Sequence, residues 1–154
     1  MATRIHSYLE ALMLSEEQPR QLAAGELLFR SGEAGREMYI VRSGTVELRL
    51  GKRLLEVVEP GGVVGEMALI DPAPRSASAV AGPGCSVVAI DEQLFSQLVK
   101  AVPSLALEMM RILARRLRRG NETRATASAG KAGRRPAPRK AAARTRPAQR
   151  ARRS

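Results

Sequence analysis

The residue types best suited to ligand chemistry lie in one stretch, VVGEMALIDPAPRSASAVA, which spans residues 63–81. Glu66 and Arg75 are its only glutamate and arginine, and most of their neighbours are apolar or small. A charged side chain in a packed region needs a partner, because an isolated buried charge is strongly unfavourable. The two charges therefore either pair with each other or bind something else.

Their spacing is compatible with a site for a phosphate and a sugar. We expect residues 65–70 to form a single helical turn behind Gly65, where free backbone N–H groups favour an anion. Arg75 offers a planar, permanently charged fork that suits a phosphate, and Ser76 adds a hydroxyl donor. A carboxylate does not bind a phosphate, so Glu66 is expected to accept a hydrogen bond from a sugar hydroxyl. Together these features indicate a nucleotide whose phosphate and ribose are held close together.

A purely structural interpretation of the same residues stays open at this point. Glu66 can be an ordinary acid at the start of a helix, and Arg75 a solvated loop charge or its salt-bridge partner. Ser76 can be a turn residue. A domain that keeps the pocket but no longer uses it is the main form of this alternative.

The surrounding sequence predicts a mainly β fold. From Gly25 to about Ile90, short apolar runs such as EMYIV and CSVVAI are separated by glycine-containing turns, a pattern typical of an antiparallel sandwich or barrel. Gly44 is expected to turn the chain between two strands, and Gly51 and Lys52 suit a two-residue hairpin.

Helices are predicted on both sides of the β region. Residues 1–19 carry apolar side chains at helical spacing, Asp91 suits the N-cap of a following helix, and a second helix is expected over 103–119, with Gly120 and Asn121 as its stop. The second helix can form a homodimer or cover its own sandwich through the apolar residues along one side, which are Ala106, Met109, Met110, Leu113 and Leu117.

The basic charge is confined to the C-terminal part of the chain. Residues 1–110 carry 10 Lys and Arg against 14 Asp and Glu, whereas residues 111–154 carry 16 against 1, which together give the net charge of +11. Residues 121–154 contain no Leu, Ile, Val, Met or aromatic residue, so we expect a disordered basic tail after a domain over 20–120. Such a tail is suited to non-specific contact with nucleic acid or an acidic partner.

Two longer motifs resemble the cyclic nucleotide-binding domain of bacterial cyclic-AMP receptor proteins and protein kinase A regulatory subunits. They are GELLFRSGEAGREMYIVRSGTVEL and PGGVVGEMALIDPAPRSASAVA, and the resemblance covers residues 20–119. It implies an antiparallel double-stranded β-helix, or jelly-roll, sandwich. The glycines that lie where the family has turns are Gly25, Gly32, Gly35, Gly44, Gly62 and Gly65.

The resemblance also implies a role for each site residue. Glu66 is expected to bind the ribose 2′-hydroxyl, Arg75 the exocyclic phosphate oxygens, and Ser76 the phosphate through its hydroxyl and amide. The backbone of Gly65, Met67 and Ala68 is expected to complete the phosphate cradle. With serine at position 76, both cyclic AMP and cyclic GMP stay possible as the ligand.

Other activities receive no support from the residues. His6 is the only histidine and Cys85 the only cysteine, so a metal-dependent enzyme with histidine ligands, a Cys/His nucleophilic pair and an internal disulfide are not expected. We expect no enzymatic activity and no cofactor. No signal peptide or membrane span is apparent, and we expect a cytoplasmic protein. No helix-turn-helix pattern follows the predicted domain, so we expect a stand-alone sensor whose output is supplied by the tail or a partner. The alternative is a ligand-free scaffold in which the tail alone functions.

Overall fold

The computed structural model describes residues 15–132 of the chain. The chain divides into two compact units, Met1–Ala114 and Arg115–Ser154. The predicted helix over 1–19 lies mostly outside the described residues, and residues 15–19 have no regular secondary structure.

Two four-stranded antiparallel sheets form the core of the first unit, which confirms the predicted sandwich. The first sheet has the strand order β1-β8-β3-β6 and the second β2-β7-β4-β5. The strands, in chain order, are β1 Arg20–Leu22, β2 Leu27–Phe29, β3 Glu37–Ser43, β4 Val46–Leu50, β5 Arg53–Val58, β6 Val63–Val64, β7 Ser78–Ala81 and β8 Cys85–Asp91.

The predicted hairpin joins β4 to β5. Leu50 pairs with Arg53 across it, and Gly51 takes a positive φ of 59°, a conformation that glycine adopts without steric cost.

Strands β3 and β8 are buried on both faces, which explains their nearly continuous apolar sequences. Tyr39 and Val41 point into the cluster between the two sheets, while Met38 and Ile40 point into a second cluster beneath the helices. Strand β8 alternates in the same way and carries Cys85, which is fully buried. Burial raises the pKa of the Cys85 thiol.

Three helices lie within the described residues: α1 Met67–Ile70, α2 Glu92–Ala101 and α3 Ser104–Ala132. The predicted N-cap of α2 is confirmed, because the Asp91 carboxylate accepts a hydrogen bond from the Leu94 N–H at 2.8 Å. Leu98 of α2 and Leu105 and Met109 of α3 cover the outer face of the first sheet.

The predicted stop at Gly120 and Asn121 is wrong, since α3 continues to Ala132. A glycine that ends a helix takes a positive φ, and Gly120 is not among the residues that do. Within an exposed helix, glycine costs only about 1 kcal/mol relative to alanine, which a helix of 29 residues tolerates. Residues 121–132 are therefore helical, and the remainder of the predicted disordered tail lies outside the described residues.

Candidate functional site

The main chain of Arg75 is fixed against the loop that joins β2 to β3. Its N–H donates to the Glu33 carbonyl at 2.8 Å, and its own carbonyl accepts from the Gly32 N–H at 2.7 Å. This pairing brings two segments distant in sequence into contact and directs the Arg75 side chain into the protein, where only 8% of the residue is exposed.

The Arg75 guanidinium is held by one side chain and two backbone carbonyls. Nη1 donates to the Gly65 carbonyl at 3.0 Å, and Nη2 donates to the Glu37 carbonyl at 2.8 Å. The Phe29 ring lies beneath, with 4.2 Å between its centroid and Cζ. Phe29 belongs to the second sheet, Glu37 begins β3 of the first sheet, and Gly65 follows β6. Arg75 therefore contacts elements of both sheets.

The positive charge of Arg75 is buried without a counter-ion among residues 15–132. No ion pair forms between Arg75 and any of these residues, so the predicted alternative of a salt bridge with Glu66 is wrong. The Nε atom is also buried and has no hydrogen-bond partner in the described part of the chain. A buried cation and a buried N–H donor both favour an anionic acceptor.

Glu66 lies directly after Gly65, whose carbonyl holds Arg75. It is 4% exposed and occupies the N-cap position of α1 with helical backbone angles, but its carboxylate does not cap that helix. Capping an N-terminus is the usual role of an acid at this position. The burial of Glu66 therefore does not arise from helix capping, and its carboxylate lies one residue from the carbonyl that binds Arg75.

The remaining predicted site residues lie nearer the solvent. Met67 is exposed, Ala68 is half-buried, and the Ala68 N–H donates to the Gly65 carbonyl at 3.2 Å. Ser76 is exposed, and neither its hydroxyl nor its amide has a hydrogen-bond partner within residues 15–132. The hydroxyl and amide of Ser76 are therefore donors without a partner among these residues, on the residue that follows Arg75 in the chain.

Two glycines allow the guanidinium to lie against the backbone. A Cβ on Gly35 would overlap Nε of Arg75, and a Cβ on Gly65 would overlap Nη1. Gly65 also takes a positive φ of 74°, which disfavours any side chain there. The close approach of backbone and guanidinium therefore requires glycine at both positions.

The sequence matches the cyclic nucleotide-binding domain family over residues 19–102, the segment that contains all of these contacts. The chain belongs to this family. A CRP-like cAMP-activated global transcriptional regulator of Mycobacterium tuberculosis is 32% identical over 118 residues, covering 72% of this chain and 52% of that protein. The cyclic AMP receptor protein of Thermus thermophilus is 38% identical over 112 residues, covering 70% of this chain and 52% of that protein.

The fold of this cyclic nucleotide-binding domain is also similar to a solved structure. The crystal structure of the Thermus thermophilus catabolite activator protein aligns with a TM-score of 0.68 and 33% identity, covering 82% of this chain and 62% of the other. The chain spans about half the length of the curated relatives it matches.

Two aromatic residues beside Arg75, Phe29 and Tyr39, were not predicted from the sequence. Tyr39 stacks on Phe29 with ring centroids 6.1 Å apart and lies 5.9 Å from Cζ of Arg75. The Tyr39 hydroxyl donates to the Glu37 carboxylate at 3.3 Å. Burial, and then the nearby Glu37 charge, raise the pKa of Tyr39. Tyr39 alternates with its neighbours along β3, a sequence signal that could have located it, whereas Phe29 follows Leu28, which is buried in the same cluster.

Residues 15–132 have neither a cluster of metal ligands nor a membrane-spanning helix. These residues contain no group of three histidine, cysteine or acidic side chains that could hold a metal ion. No helix formed by them is long and apolar enough to cross a membrane. His6, the only histidine, lies outside the described residues.

Proposed function

We propose that this chain is a regulatory protein without enzymatic activity that binds a cyclic mononucleotide. One observation carries the proposal: the buried Arg75 guanidinium has no counter-ion and an unbonded Nε among the described residues. A singly charged cyclic phosphate offers both a negative charge and hydrogen-bond acceptors. It would supply the negative charge and the acceptor for Nε that the surrounding backbone carbonyls and aromatic rings do not supply.

Each site residue has one role in this proposal. Arg75 binds the exocyclic phosphate oxygens, and the exposed hydroxyl and amide of Ser76 donate to the same phosphate. Glu66 accepts a hydrogen bond from the ribose 2′-hydroxyl. The Met67 and Ala68 backbone completes the cradle, while the Gly65 carbonyl orients Arg75 instead of contacting the ligand.

The relatives favour cyclic AMP as the ligand, because two of them carry that nucleotide in their names. Ser76 offers an additional hydroxyl donor, which is also compatible with cyclic GMP. Both nucleotides therefore belong in the test of this site, and neither requires a metal or cofactor.

Thermal unfolding with and without nucleotide tests the proposal. A ligand at 100 times its Kd adds about 2.7 kcal/mol to the free energy of unfolding, which corresponds to a rise of roughly 10 to 20 °C in Tm for a domain of this size. Arg75→Lys keeps the charge but loses the planar fork, and it should abolish most of the rise.

Arg49→Lys is the matched control, because Arg49 is half-buried and bonded to the Glu47 carboxylate at 2.7 Å, away from the Arg75 contacts. This variant should keep the full rise. Absence of a shift with both nucleotides in the wild-type protein contradicts the proposal.

We propose that occupancy of the site is transmitted through the helices that cover the first sheet. Met109 and Leu113 pack on the sandwich, whereas Met110 is 58% exposed and Leu107 46% exposed. The predicted apolar stripe is therefore divided between the core and the surface.

The exposed half of the stripe supports a homodimer in which this helix is the interface. Sedimentation analysis of Met110→Glu should show a smaller species than the wild-type protein, and an unchanged species would contradict the dimer.

A second proposed function concerns the basic C-terminal part of the chain. Residues 111–154 carry 16 basic and 1 acidic side chains, whereas residues 1–110 are net acidic. This separation supports salt-sensitive, non-specific binding of nucleic acid by the tail. Loss of binding at low salt on removing residues 133–154 tests it, and full retention contradicts it.

A further inference from the structure

The part of α3 from residue 115 to 132 is a solvent-exposed helix without an apolar face. Arg115 and Arg116 are half-buried, but nearly every later side chain up to Gly130 is exposed. No Leu, Ile, Val, Met or aromatic residue follows Leu117. This segment continues the 29-residue helix α3, but helices in proteins are stabilised mainly by packing an apolar side, which the segment lacks.

Two threonine side chains form hydrogen bonds within this segment. The Thr123 hydroxyl donates to the Arg119 carbonyl at 2.9 Å, and the Thr126 hydroxyl donates to the Glu122 carbonyl at 3.1 Å. Such bonds back to the helix's own carbonyls do not favour the helix over the unfolded chain. A bound partner would therefore stabilise this part of α3 more than the part that packs on the sandwich.

The charge of the segment identifies the chemistry of that partner. Residues 115–124 contain five arginines and one acid, Glu122. Four of the arginines fall within five consecutive residues, so at 3.6 residues per turn they lie within about 6 Å along the axis and span roughly 160° around it. A polyanion is the partner that a cluster of this charge attracts most strongly.

Several kinds of partner fit this helix poorly. Insertion into a membrane interface or into a protein groove needs an apolar face, which is absent after Leu117. Single-stranded nucleic acid is bound through aromatic stacking, and residues 115–154 contain no aromatic residue. The major groove of double-stranded RNA is too narrow and deep for side chains to read.

Double-stranded DNA fits the dimensions and the charge. The major groove of B-DNA is about 12 Å wide and admits an α-helix, whose diameter is about 10 to 12 Å. Arginines spread over nearly half of the helix circumference can reach phosphates on both walls of the groove, and each guanidinium can bind a phosphate through two parallel hydrogen bonds. Continuous basic helices lie in the major groove in other DNA-binding motifs.

We propose that residues 115–132 of α3 bind double-stranded DNA in the major groove through its phosphates. The inference deepens the nucleic-acid function proposed for the tail and rests on it, but it assigns binding to the arginines of the helix in addition to residues 133–154. The helix is stabilised when it binds. No base is read, so the interaction does not depend on DNA sequence.

The test compares two full-length variants that lose the same charge at different places. The helix variant carries Arg115→Gln, Arg116→Gln, Arg118→Gln and Arg119→Gln, substitutions that retain high helix propensity. The tail variant carries the matched substitutions Arg134→Gln, Arg135→Gln, Arg139→Gln and Lys140→Gln. Binding of each protein to a labelled 30-base-pair DNA duplex is measured by fluorescence anisotropy over a range of salt concentrations.

We expect the slope of log K against log salt to become shallower by about 3 to 4 in the helix variant, since each phosphate contact contributes about 0.9. Helical circular dichroism should rise when DNA is added to the wild-type protein, with a smaller rise for the helix variant. Equally tight binding of a duplex RNA of the same sequence would overturn the placement in the major groove.

The two proposals fail in different ways. A wild-type slope in the helix variant together with a reduced slope in the tail variant overturns the helix assignment and leaves the tail function intact. Absence of DNA binding by the wild-type protein overturns both. The nucleotide-dependent rise in Tm is measured on the same proteins, so a misfolded variant is recognised separately.

Discussion

The guanidinium of Arg75 lies over the ring of Phe29, with 4.2 Å between Cζ and the ring centroid. A cation so close to an aromatic face is attracted to it by about 0.5 to 2 kcal/mol. The ring also fixes the plane of the fork, while the Gly65 and Glu37 carbonyls fix its rotation within that plane. Phe29 is thus a positioning residue for the proposed phosphate contact.

Replacing Phe29 with leucine should weaken nucleotide binding by about two- to thirty-fold, the range that corresponds to this attraction. Isothermal titration calorimetry gives the Kd directly. Tyr39→Phe is the control, because it keeps the second ring and removes only the hydrogen bond to Glu37, and its Kd should stay close to wild type. Wild-type affinity in Phe29→Leu would show that the ring does not position Arg75.

Replacing Arg75 with methionine should abolish nucleotide binding while leaving the ligand-free protein at least as stable as wild type. The side chain carries a buried charge without a counter-ion and a buried unbonded Nε, and replacing such a group with an apolar one is often neutral or stabilising. Urea denaturation without ligand checks the stability. A loss of several kcal/mol would mean that the hydrogen bonds to the two carbonyls outweigh the cost of burying the charge.

Gly65→Ala should destabilise the protein more than Gly51→Ala does. Both glycines take a positive φ, which costs an alanine about 1 to 2 kcal/mol, but only the Cβ at Gly65 meets Arg75. The difference between the two free energies of unfolding isolates that contact. We also expect Gly65→Ala to lose nucleotide affinity and Gly51→Ala to retain it, and equal effects of the two substitutions on both quantities would contradict the steric role.

Stability should fall at alkaline pH, in part because of Cys85. Burial raises the pKa of this thiol, so its stabilising contribution is fully present below the ordinary thiol pKa of about 8.5 and is lost as the pH rises through the higher folded value. Urea denaturation from pH 7 to 10 measures the decline, which Cys85→Ala should make shallower. The native thiol should also react slowly with an alkylating reagent at neutral pH. A pH dependence identical in both proteins would contradict this assignment.

The sandwich could be predicted because its signals are local. The alternation of EMYIV and CSVVAI, the hairpin at Gly51 and the cap at Asp91 each depend on a few neighbouring residues. The course of α3 could not, because Gly120 and Asn121 carry the sequence signal of a stop but Gly120 stays in the helical conformation.

The sequence predicts candidate residues for the site, which stay a prediction, but it does not predict the resting position of Arg75. Glu66, Arg75 and Ser76 share one segment, so their proximity follows from the sequence. The guanidinium is bound by a backbone carbonyl 38 residues away at Glu37 and by the ring of Phe29. Any residue can supply a carbonyl, so no sequence pattern indicates which one Arg75 contacts.

Because strand β3 is buried on both faces, it links the surroundings of Arg75 to the layer of helices. Tyr39 packs against Phe29 beside Arg75, while Met38 and Ile40, its immediate neighbours, pack beneath the helices. Tyr39 is therefore adjacent in the chain to two residues that share an apolar cluster with Leu105 of α3. We therefore expect a rearrangement of Arg75 on ligand binding to reach the helical layer through β3 itself.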